Sequence, residues 1–392
     1  MHATREAALE RMRRFVPAMG RRYAEGRNHD HGPNNRSNVS NLSPYIRRRL
    51  VLESEVTEAA LDAHGPRAAE KFVQEVVWRT YFKGWLEQRP DVWTAYHGEL
   101  EREEAHRAKY RDLNGRVSAA EAGETGIEPF DHWARELLEH GTLHNHARMW
   151  FASIWIFTLE LPWALGARFF ARHLVDGDPA SNTLSWRWVA GLHTRGKAYA
   201  ATKSNIERYT GGRFSLPDGV LAPSVKALSE PEDWPRRPLP HVEGPRMDVP
   251  SVLIATEDDC LPETLALPPI ERAFLVPTVF RRDADERVRR FEHEALEDTR
   301  RRLGERGIEA EVVEANALAA AVQATGCEQV TGAYLPVGWA RDAVGPVLDE
   351  LSGEVAWRPV TRRWDVLFWP HAMAGYFKVK KAIPAVLSKL AT

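Results

Sequence analysis

Hydrophobic and polar positions divide the chain into a helical first part and a second part in which strands alternate with helices. In residues 1–215 apolar positions recur at helical spacing, as in FVQEVVWRTYFKGW, where Phe72 and Val76 share one side. Residues 251–392 carry short apolar runs, such as SVLIA, AEVVEA, EQVTGAY and VAWRPV, separated by helical stretches. The pattern predicts an all-α domain at 1–215 and a doubly wound, Rossmann-like α/β domain at 251–392.

Three other stretches complete this prediction. Residues 216–250 are charged and rich in proline, which predicts an interdomain linker. Residues 96–122 are highly charged and predict a surface loop with a short helix. The apolar run 150–165 contains Glu160 and Pro162 and is too short to span a bilayer comfortably, so it predicts a buried helix.

Composition places the chain among ordinary globular proteins. It has 392 residues, 43% hydrophobic and 28% charged, enough for two domains with their own cores. Two cysteines exclude a four-cysteine iron–sulfur cluster and favour a reducing compartment. The N-terminus has no apolar signal segment, so we expect a cytoplasmic protein. No second cluster of ligands accompanies His29 and His31, and we predict no metal site.

The net charge of −2 conceals an asymmetry between the two parts. Residues 1–215 hold 31 Lys and Arg against 27 Asp and Glu, whereas the rest of the chain is acidic. A positive first domain is compatible with a polyanionic partner, since lysine and arginine release counterions from phosphates. A mixed, solvated surface explains the charge equally well.

Residues 140–197 contain the densest group of chemically distinctive residues. Polar Asn145 and Arg148 open an apolar helical run, a DGDPASN turn follows, and Trp186 and Trp188 come directly after it. Upstream, VSNLSPY places small hydroxyls before Pro44, at a helix start whose free N–H groups could hold phosphate, although Ser before Pro is more often an ordinary cap. Downstream of QEVVWR and GETG, Asp131 is predicted to cap a helix.

In order and spacing, VSNLSPY, QEVVWR, GETG, HNHARM, LPW, DGDPASN and WRW resemble the FAD-binding helical domain of the DNA photolyase and cryptochrome family. The resemblance is dense in the first domain and extends to the second only by pattern. Photolyases carry an α/β antenna domain before the helical one. The resemblance therefore implies a permuted order here, with residues 251–392 antenna-like and any second chromophore unknown.

The resemblance implies FAD as the cofactor and assigns residues to its binding. They are Tyr23, Ser40, Asn41, Leu42, Ser43, Arg79, Asn145, Arg148, Asp176, Asp178 and Asn182. Val39 replaces the usual Thr, so one hydroxyl is lost. Asn145 would lie in a buried helix and face the reactive nitrogen of the flavin, where an amide suits a reduced cofactor. Arg148 would pair with Asp176, because either charge alone is costly to bury.

The resemblance also assigns catalytic roles, for which core packing is the alternative at each aromatic position. The residues are Glu75, Trp78, Asn145, Met149, Trp163, Trp186 and Trp188. Trp186 and Trp163 match the first two members of an electron-transfer chain, with Tyr110 or Trp155 as the third. Trp78 and Trp188 match an apolar clamp for a flipped pyrimidine dimer, which Glu75 would hydrogen-bond.

Contacts with DNA are less clear from the sequence. His146 and Thr142 stand where the family commonly has Arg and Trp. Candidate phosphate contacts, each with solvated surface as the alternative, are Arg47, Arg48, Arg49, Lys197, Lys203, Arg208 and Arg213.

Together these features predict a deoxyribodipyrimidine photo-lyase, an enzyme that splits cyclobutane pyrimidine dimers by electron transfer from excited, reduced FAD. Its expected partner is dimer-containing DNA, with no membrane and a monomeric state. Two alternatives stay open. One is a cryptochrome-like blue-light photoreceptor without repair activity, and the other is a light-independent flavoprotein or interaction module on the same fold.

Overall fold

The computed structural model describes residues 1–230, 233–277 and 283–391. Pro231, which belongs to the predicted linker, lies outside the described residues. In chain order the helices are α1 (Arg5–Phe15), α2 (Arg21–Gly26), α3 (Ser43–Arg47), α4 (Glu53–Glu87), α5 (Asp91–Lys109), α6 (Arg111–Ala122), α7 (Glu128–His140), α8 (Asn145–Ser153), α9 (Trp163–His173), α10 (Pro179–Ala190), α11 (Lys203–Tyr209), α12 (Glu286–Gly304), α13 (Leu318–Gln323), α14 (Trp339–Leu351), α15 (Arg363–Phe368) and α16 (Phe377–Leu390). The strands are β1 (Ser251–Thr256), β2 (Ile270–Val276), β3 (Ala310–Val312), β4 (Gln329–Ala333) and β5 (Ala356–Val360). None of these described helices is both long and apolar enough to cross a bilayer.

Backbone contacts divide the chain into two compact units. The helical unit consists of Ala18–Asn41 and Arg89–Pro235. The sheet unit consists of Met1–Pro17, Leu42–Gln88 and Arg236–Thr392. These units do not coincide with the predicted ranges, because α1, α3 and α4 belong with the sheet although they precede most of the helical unit in the chain.

Two local predictions for the helical unit are wrong. Residues 96–122 are helical almost throughout, as parts of α5 and α6, and Arg107 on α5 pairs with Glu121 on α6 at 2.8 Å. The predicted single helix at 150–165 is instead interrupted after α8. A π-helical turn occupies Ile154–Thr158, and Glu160 then takes a left-handed φ of 50° before α9 begins.

The sheet unit contains a five-stranded parallel sheet with the order β3-β2-β1-β4-β5, which confirms the predicted alternation of strands and helices. The central strand β1 is buried at every position, as its uniformly small and branched sequence SVLIAT requires. On β4, a Cβ at Gly332 would lie 2.1 Å from the Ile254 carbonyl oxygen. Glycine at this position is therefore needed for the close approach of the two strands.

The C-terminal segment packs on α4 within the sheet unit. Trp364 Nε1 donates a hydrogen bond of 2.8 Å to Thr80 Oγ1, and Gln88 Nε2 donates one of 3.0 Å to the Trp369 carbonyl. A Cβ at Gly84 would lie 2.7 Å from the Trp369 ring. These contacts join the C-terminal segment to α4 inside the sheet unit.

Three consecutive arginines that were candidate phosphate contacts are buried. Arg47, Arg48 and Arg49 are between 0% and 3% exposed. They form ion pairs with Asp258 at 2.6 Å, Glu292 at 3.0 Å and Asp259 at 3.2 Å, respectively. The prediction that they contact DNA phosphates is therefore wrong.

Asp259, just after β1, accepts hydrogen bonds from two guanidinium groups, those of Arg49 and Arg362. Arg362 donates to both of its carboxylate oxygens, and Arg49 donates to one. Burial alone would raise the pKa of Asp259, but the charges and hydrogen bonds of Arg362 and Arg49 outweigh it and hold the pKa at about 2. An acid with a lowered pKa stabilises the fold above its unfolded pKa, and this stabilisation is lost as pH falls through the folded pKa.

We expect Asp259→Asn to lower the free energy of unfolding at neutral pH by about 3–5 kcal/mol, because two buried guanidinium groups lose their shared counter-charge. Urea unfolding of the purified chain measures this change. Glu309→Gln is the control, since Glu309 pairs with Arg272 at the surface and its loss should change little. The difference between wild type and Asp259→Asn should shrink as pH falls from about 4 to about 2. Equal effects of the two substitutions would contradict the account.

Candidate functional site

The predicted pair of Arg148 and Asp176 is present in the helical unit. Arg148, on α8, directs Nη2 to the two Asp176 carboxylate oxygens at 2.9 and 3.0 Å, and its Nε donates to the Leu143 carbonyl at 2.9 Å. Asp176 is 5% exposed at its side chain, whereas Arg148 is 26% exposed. The guanidinium therefore keeps part of its surface available while its charge is balanced.

The residues that follow Asp176 have local structural partners. Asp178 is the N-cap of α10, and its Oδ1 accepts a 2.7 Å hydrogen bond from the Ser181 amide. Asn182 Nδ2 donates to the Ala167 carbonyl of α9 at 2.8 Å. The DGDPASN motif thus fixes the start of α10 and joins it to α9.

Three buried side-chain atoms on α10 lack a hydrogen-bond partner in the part of the chain that the structure describes: Oγ of Ser181, Nε1 of Trp186 and Nε of Arg187. Arg187 is engaged through its Nη2, which pairs with Glu230, so Ser181 and Trp186 are the two whose side chains have no such bond. A buried donor or hydroxyl without a partner is costly, so such atoms are uncommon in native proteins. Both stand on the helix that Asp178 caps, and an added ligand with hydrogen-bonding groups could pair with them.

Asn145 is exposed and forms the first residue of α8, so the prediction that it lies in a buried helix is wrong. The preceding residue, His144, is buried, and burial lowers the pKa of its imidazole to about 4. No positive charge therefore stands at His144 at neutral pH. Met149, one turn further along α8, is half-buried.

The predicted phosphate-binding segment lies where the chain passes from one unit to the other. Tyr23, Ser40 and Asn41 belong to the helical unit, and Asn41 takes a left-handed φ of 52°, which asparagine tolerates better than most residues. Leu42 and Ser43 belong to the sheet unit and begin α3. Within that unit Arg79 Nη2 donates to the Ser43 carbonyl at 3.1 Å, so the structure brings two predicted cofactor residues together.

The indole of Trp186 is buried in an aromatic cluster of the helical unit. Its ring centroid lies 6.2 Å from that of Trp155 and 5.1 Å from that of Phe170. A Cβ at Gly166 would come within 2.3 Å of the Trp186 ring. Glycine on α9 therefore lets the helix pass close to this indole.

Trp163 is also buried, and its ring contacts differ from those of Trp186. Its centroid lies 5.5 Å from Tyr96, which lies 5.6 Å from Trp93, and Glu99 accepts a hydrogen bond from its indole. Tyr110, one predicted third member of the electron-transfer chain, is 51% exposed. Trp155, the other, packs directly on Trp186. The sequence motifs gave no signal for Tyr96 or Trp93, because charged residues surround them.

Trp188 and Trp78, the predicted clamp, each have an aromatic neighbour in their own unit. In the helical unit Trp188 stacks with Tyr199 at 5.4 Å. In the sheet unit Trp78 stacks face to face with Tyr376, with centroids 3.6 Å apart and planes at 11°. Sequence analysis missed Tyr376, which follows α4 by almost three hundred residues.

A buried carboxylate in the helical unit was also missed. Asp30 accepts hydrogen bonds from the Gly32 amide at 3.0 Å, Trp133 Nε1 at 3.2 Å and Arg213 Nη2 at 2.8 Å. Nearby, Arg36 forms an ion pair with Glu136, whose pKa burial raises to about 7. The only sequence signal for Asp30 is the glycine two residues later, which is typical of a turn closed by the Asp side chain.

Among the remaining candidate phosphate contacts, Lys197, Arg208 and Arg213 are exposed. Lys203 pairs with Asp218 at 2.8 Å, and Arg213 is engaged by Asp30. Asp131 lies inside the first turns of α7, whose N-cap is Ile127, so the prediction that Asp131 caps a helix is wrong. Its role is still structural, because its carboxylate accepts from the Thr125 and Gly126 amides at 2.9 and 2.8 Å in the preceding loop. No group of three potential metal ligands occurs in the described ranges.

Residues 72–209 match the family model described as the FAD binding domain of DNA photolyase. They therefore form a helical FAD-binding domain of the photolyase type. In this range, which is less than half of the chain, the sequence is similar to the DNA photolyase and cryptochrome family.

Curated relatives match about half of the chain. A deoxyribodipyrimidine photo-lyase of Streptomyces griseus is 36% identical over 195 residues, which cover 50% of this chain and 40% of the relative. One of Thermus thermophilus is 34% identical over 194 residues, covering 48% and 42%. The match thus spans less than half the length of these relatives.

Solved structures with similar folds include a class III photolyase from Agrobacterium tumefaciens and a cryptochrome from Synechocystis. The first is 28% identical with a TM-score of 0.43, and the second is 21% identical with a TM-score of 0.44. Each likeness covers 53% of this chain and 43% of the other.

We expect Gly166→Ala to lower the free energy of unfolding by about 1–3 kcal/mol, because the new methyl group must displace the buried ring of Trp186. Chemical denaturation followed by tryptophan fluorescence measures the change. Gly115→Ala is the matched control, since Gly115 lies in α6 with no atom within 4 Å of the added Cβ. It should be neutral or raise stability by about 0.5–1 kcal/mol through helix propensity. An equal response of the two variants would show that the close approach is not required.

Proposed function

We propose that this protein is a blue-light-driven deoxyribodipyrimidine photo-lyase that binds FAD and splits cyclobutane pyrimidine dimers in DNA. The observation that carries the proposal is the Arg148–Asp176 pair inside the matched FAD-binding domain, just before α10, on which Trp186 Nε1 and Ser181 Oγ are buried without a partner among the described residues. The relatives named above are deoxyribodipyrimidine photo-lyases.

The residues of the helical unit fit FAD in their chemistry. A flavin ring offers hydrogen-bond acceptors and an N–H, and its phosphates are anionic. Trp186 Nε1 and Ser181 Oγ supply unpartnered hydrogen-bonding atoms, Asn145 an exposed amide, and Arg148 a partly exposed cation. We propose that FAD is held here by Tyr23, Ser40, Asn41, Asn145, Arg148, Asp176, Asp178, Asn182 and Trp186. Leu42, Ser43 and Arg79 remain predictions from the resemblance.

When bound and reduced, FAD would supply blue-light absorption and the electron that splits the dimer. The residues of this chain would position and stabilise the reacting groups. Glu75 would hydrogen-bond the dimer, and the indoles of Trp78, in the sheet unit, and Trp188, in the helical unit, would each offer an apolar face in place of the stacking that a flipped base loses. Asn145 would tune the cofactor with an amide that cannot release a proton. Trp186 and Trp163 would carry electrons toward it.

We further propose that residues 251–392 are an antenna-like, Rossmann-like domain in a permuted position. The parallel order β3-β2-β1-β4-β5 supports a doubly wound architecture, whose ligands commonly bind beyond the carboxyl ends of the central strands. After β1, however, the chain continues into Asp258 and Asp259, which pair with Arg47 and Arg49. Buried ion pairs therefore occupy this edge of the sheet, and we propose no second chromophore there.

A photoreceptor without repair activity is the second candidate, and one observation favours it. His146, at the position where photolyases commonly have a DNA-contacting arginine, stacks on Trp150 at 4.5 Å and lies 3.0 Å from the Asn28 carbonyl. It is therefore engaged within the helical unit.

The reduced protein should restore thymine absorbance when illuminated with blue light in the presence of dimer-containing single-stranded DNA. Glu75→Gln should slow this repair about tenfold or more, since a charged hydrogen-bond acceptor at the dimer is lost. Glu58→Gln, an exposed position on the same helix, is the matched control and should repair normally. Flavin photoreduction without repair would support the photoreceptor, and a protein that binds no flavin would exclude both.

Asp176→Asn should weaken FAD binding by about tenfold or more, because Arg148 loses the carboxylate that balances and orients it. Titration of the apoprotein with FAD, followed by quenching of flavin fluorescence, measures the affinity. Asp218→Asn, which removes the surface pair with Lys203, should leave the affinity unchanged. Circular dichroism checks that both variants are folded. If folded Asp176→Asn binds FAD with wild-type affinity, the Arg148–Asp176 pair is not part of the cofactor site.

A further inference from the structure

Tyr376 occupies one face of Trp78 at stacking distance. The two rings lie 3.6 Å apart between centroids at an interplanar angle of 11°, which is the arrangement of stacked bases. Tyr376 immediately precedes α16 in the C-terminal segment, is 8% exposed, and donates a 2.7 Å hydrogen bond from its hydroxyl to the Gln74 carbonyl of α4. Tyr376 thus covers one face of the Trp78 indole on α4.

The same ring is also close to Glu75. Burial and the negative charge of Glu75 raise the pKa of Tyr376, so the phenol stays neutral. Glu75 and Trp78 stand three residues apart on α4 and therefore on neighbouring positions of one helix face. They are the two α4 residues assigned above to the dimer. A group that faces both of them stands where a bound dimer would meet α4.

We propose that Tyr376 competes with a flipped pyrimidine for Trp78, so that the C-terminal segment sets the affinity of the protein for damaged DNA. This inference rests on the proposed function. A pyrimidine can stack on this face of Trp78 only after Tyr376 has left it. The ring that leaves gives up one stacking contact and one hydrogen bond to a backbone carbonyl, and the entering base offers a stacking contact in return. Binding of damaged DNA and release of Tyr376 are therefore linked.

The neighbouring residue provides a matched control. Phe377 is 76% exposed and begins α16, so its ring has the same chemistry at the next position without the stack on Trp78. If exposed aromatic surface in this segment simply contacts DNA, loss of Phe377 should alter binding. If competition for Trp78 matters, only Tyr376 should.

The test uses the full chain loaded with FAD, in the dark, and two fluorescently labelled single-stranded oligonucleotides that differ only in one thymine dimer. Fluorescence anisotropy gives the affinity for each. Tyr376→Ala should bind the damaged strand about tenfold more tightly than wild type and the undamaged strand unchanged, since aromatic stacking of one base contributes on this scale. Phe377→Ala should resemble wild type, whereas Tyr376→Phe, which keeps the stack but loses the hydrogen bond to the Gln74 carbonyl, should lie between wild type and Tyr376→Ala. Combining Tyr376→Ala with Trp78→Ala should abolish the gain.

A second measurement needs no variant. In wild type, hydrogen exchange of residues 372–380 should become faster when the damaged strand is added and stay unchanged with the undamaged strand. Unchanged affinity in folded Tyr376→Ala, or unchanged exchange in wild type that binds the damaged strand, would overturn the proposal. If no variant prefers the damaged strand and wild type fails the illuminated repair assay, the proposed function fails as well. If wild type repairs the dimer and Tyr376→Ala binds the damaged strand with unchanged affinity, the proposed function stands and only the proposed competition of Tyr376 fails.

Discussion

The burial of three adjacent guanidinium groups is the constraint on which the sheet unit depends. A buried arginine must find a carboxylate, because an unpaired charge in a protein interior costs several kcal/mol. Arg47, Arg48 and Arg49 find theirs just after β1 and on α12, more than two hundred residues away. Arg49 even takes a left-handed φ of 50° to reach its partners. Segments distant in sequence must therefore fold together before any of these charges is satisfied.

The same kind of ion pair has a different character in the helical unit. The three arginine side chains of the sheet unit are at most 4% exposed, so their pairs can only hold structure. Arg148 is 26% exposed while its partner Asp176 is 5% exposed. A cation that is neutralised from one side and open on the other can still act on a ligand. The Arg213–Asp30 and Arg341–Glu87 pairs share this pattern, with the arginines 28% and 33% exposed, so exposure of the cation permits contact with a ligand and does not by itself identify a binding site.

Local features of both units could be predicted from the sequence, whereas long-range partners could not. The periodicity of apolar residues predicted the strands and most helices. The resemblance of the HNHARM and DGDPASN motifs to the photolyase family predicted the pairing of Arg148 with Asp176. The charged stretch 96–122 was misjudged because a helix held by surface ion pairs has a weak apolar stripe. The partners of Arg47 and of Trp78 lie on segments that no local pattern connects. The burial of Arg47, Arg48 and Arg49 can therefore be recognised only once the positions of their partner segments in the fold are known.

Aromatic residues show most clearly where sequence reasoning ends. Trp186 and Trp163 are both buried tryptophans, and composition cannot tell packing from chemistry for either. Their surroundings differ, however, since the Trp163 indole is hydrogen-bonded to Glu99 and that of Trp186 has no partner in the described part of the chain. A core residue would be expected to satisfy its N–H within the fold. Nε1 of Trp369 in the sheet unit is also buried without a partner among the described residues, so an unpaired indole donor alone does not indicate a ligand. For Trp186 the unpaired donor agrees with the proposed cofactor site because this residue lies inside the range that matches the FAD-binding model.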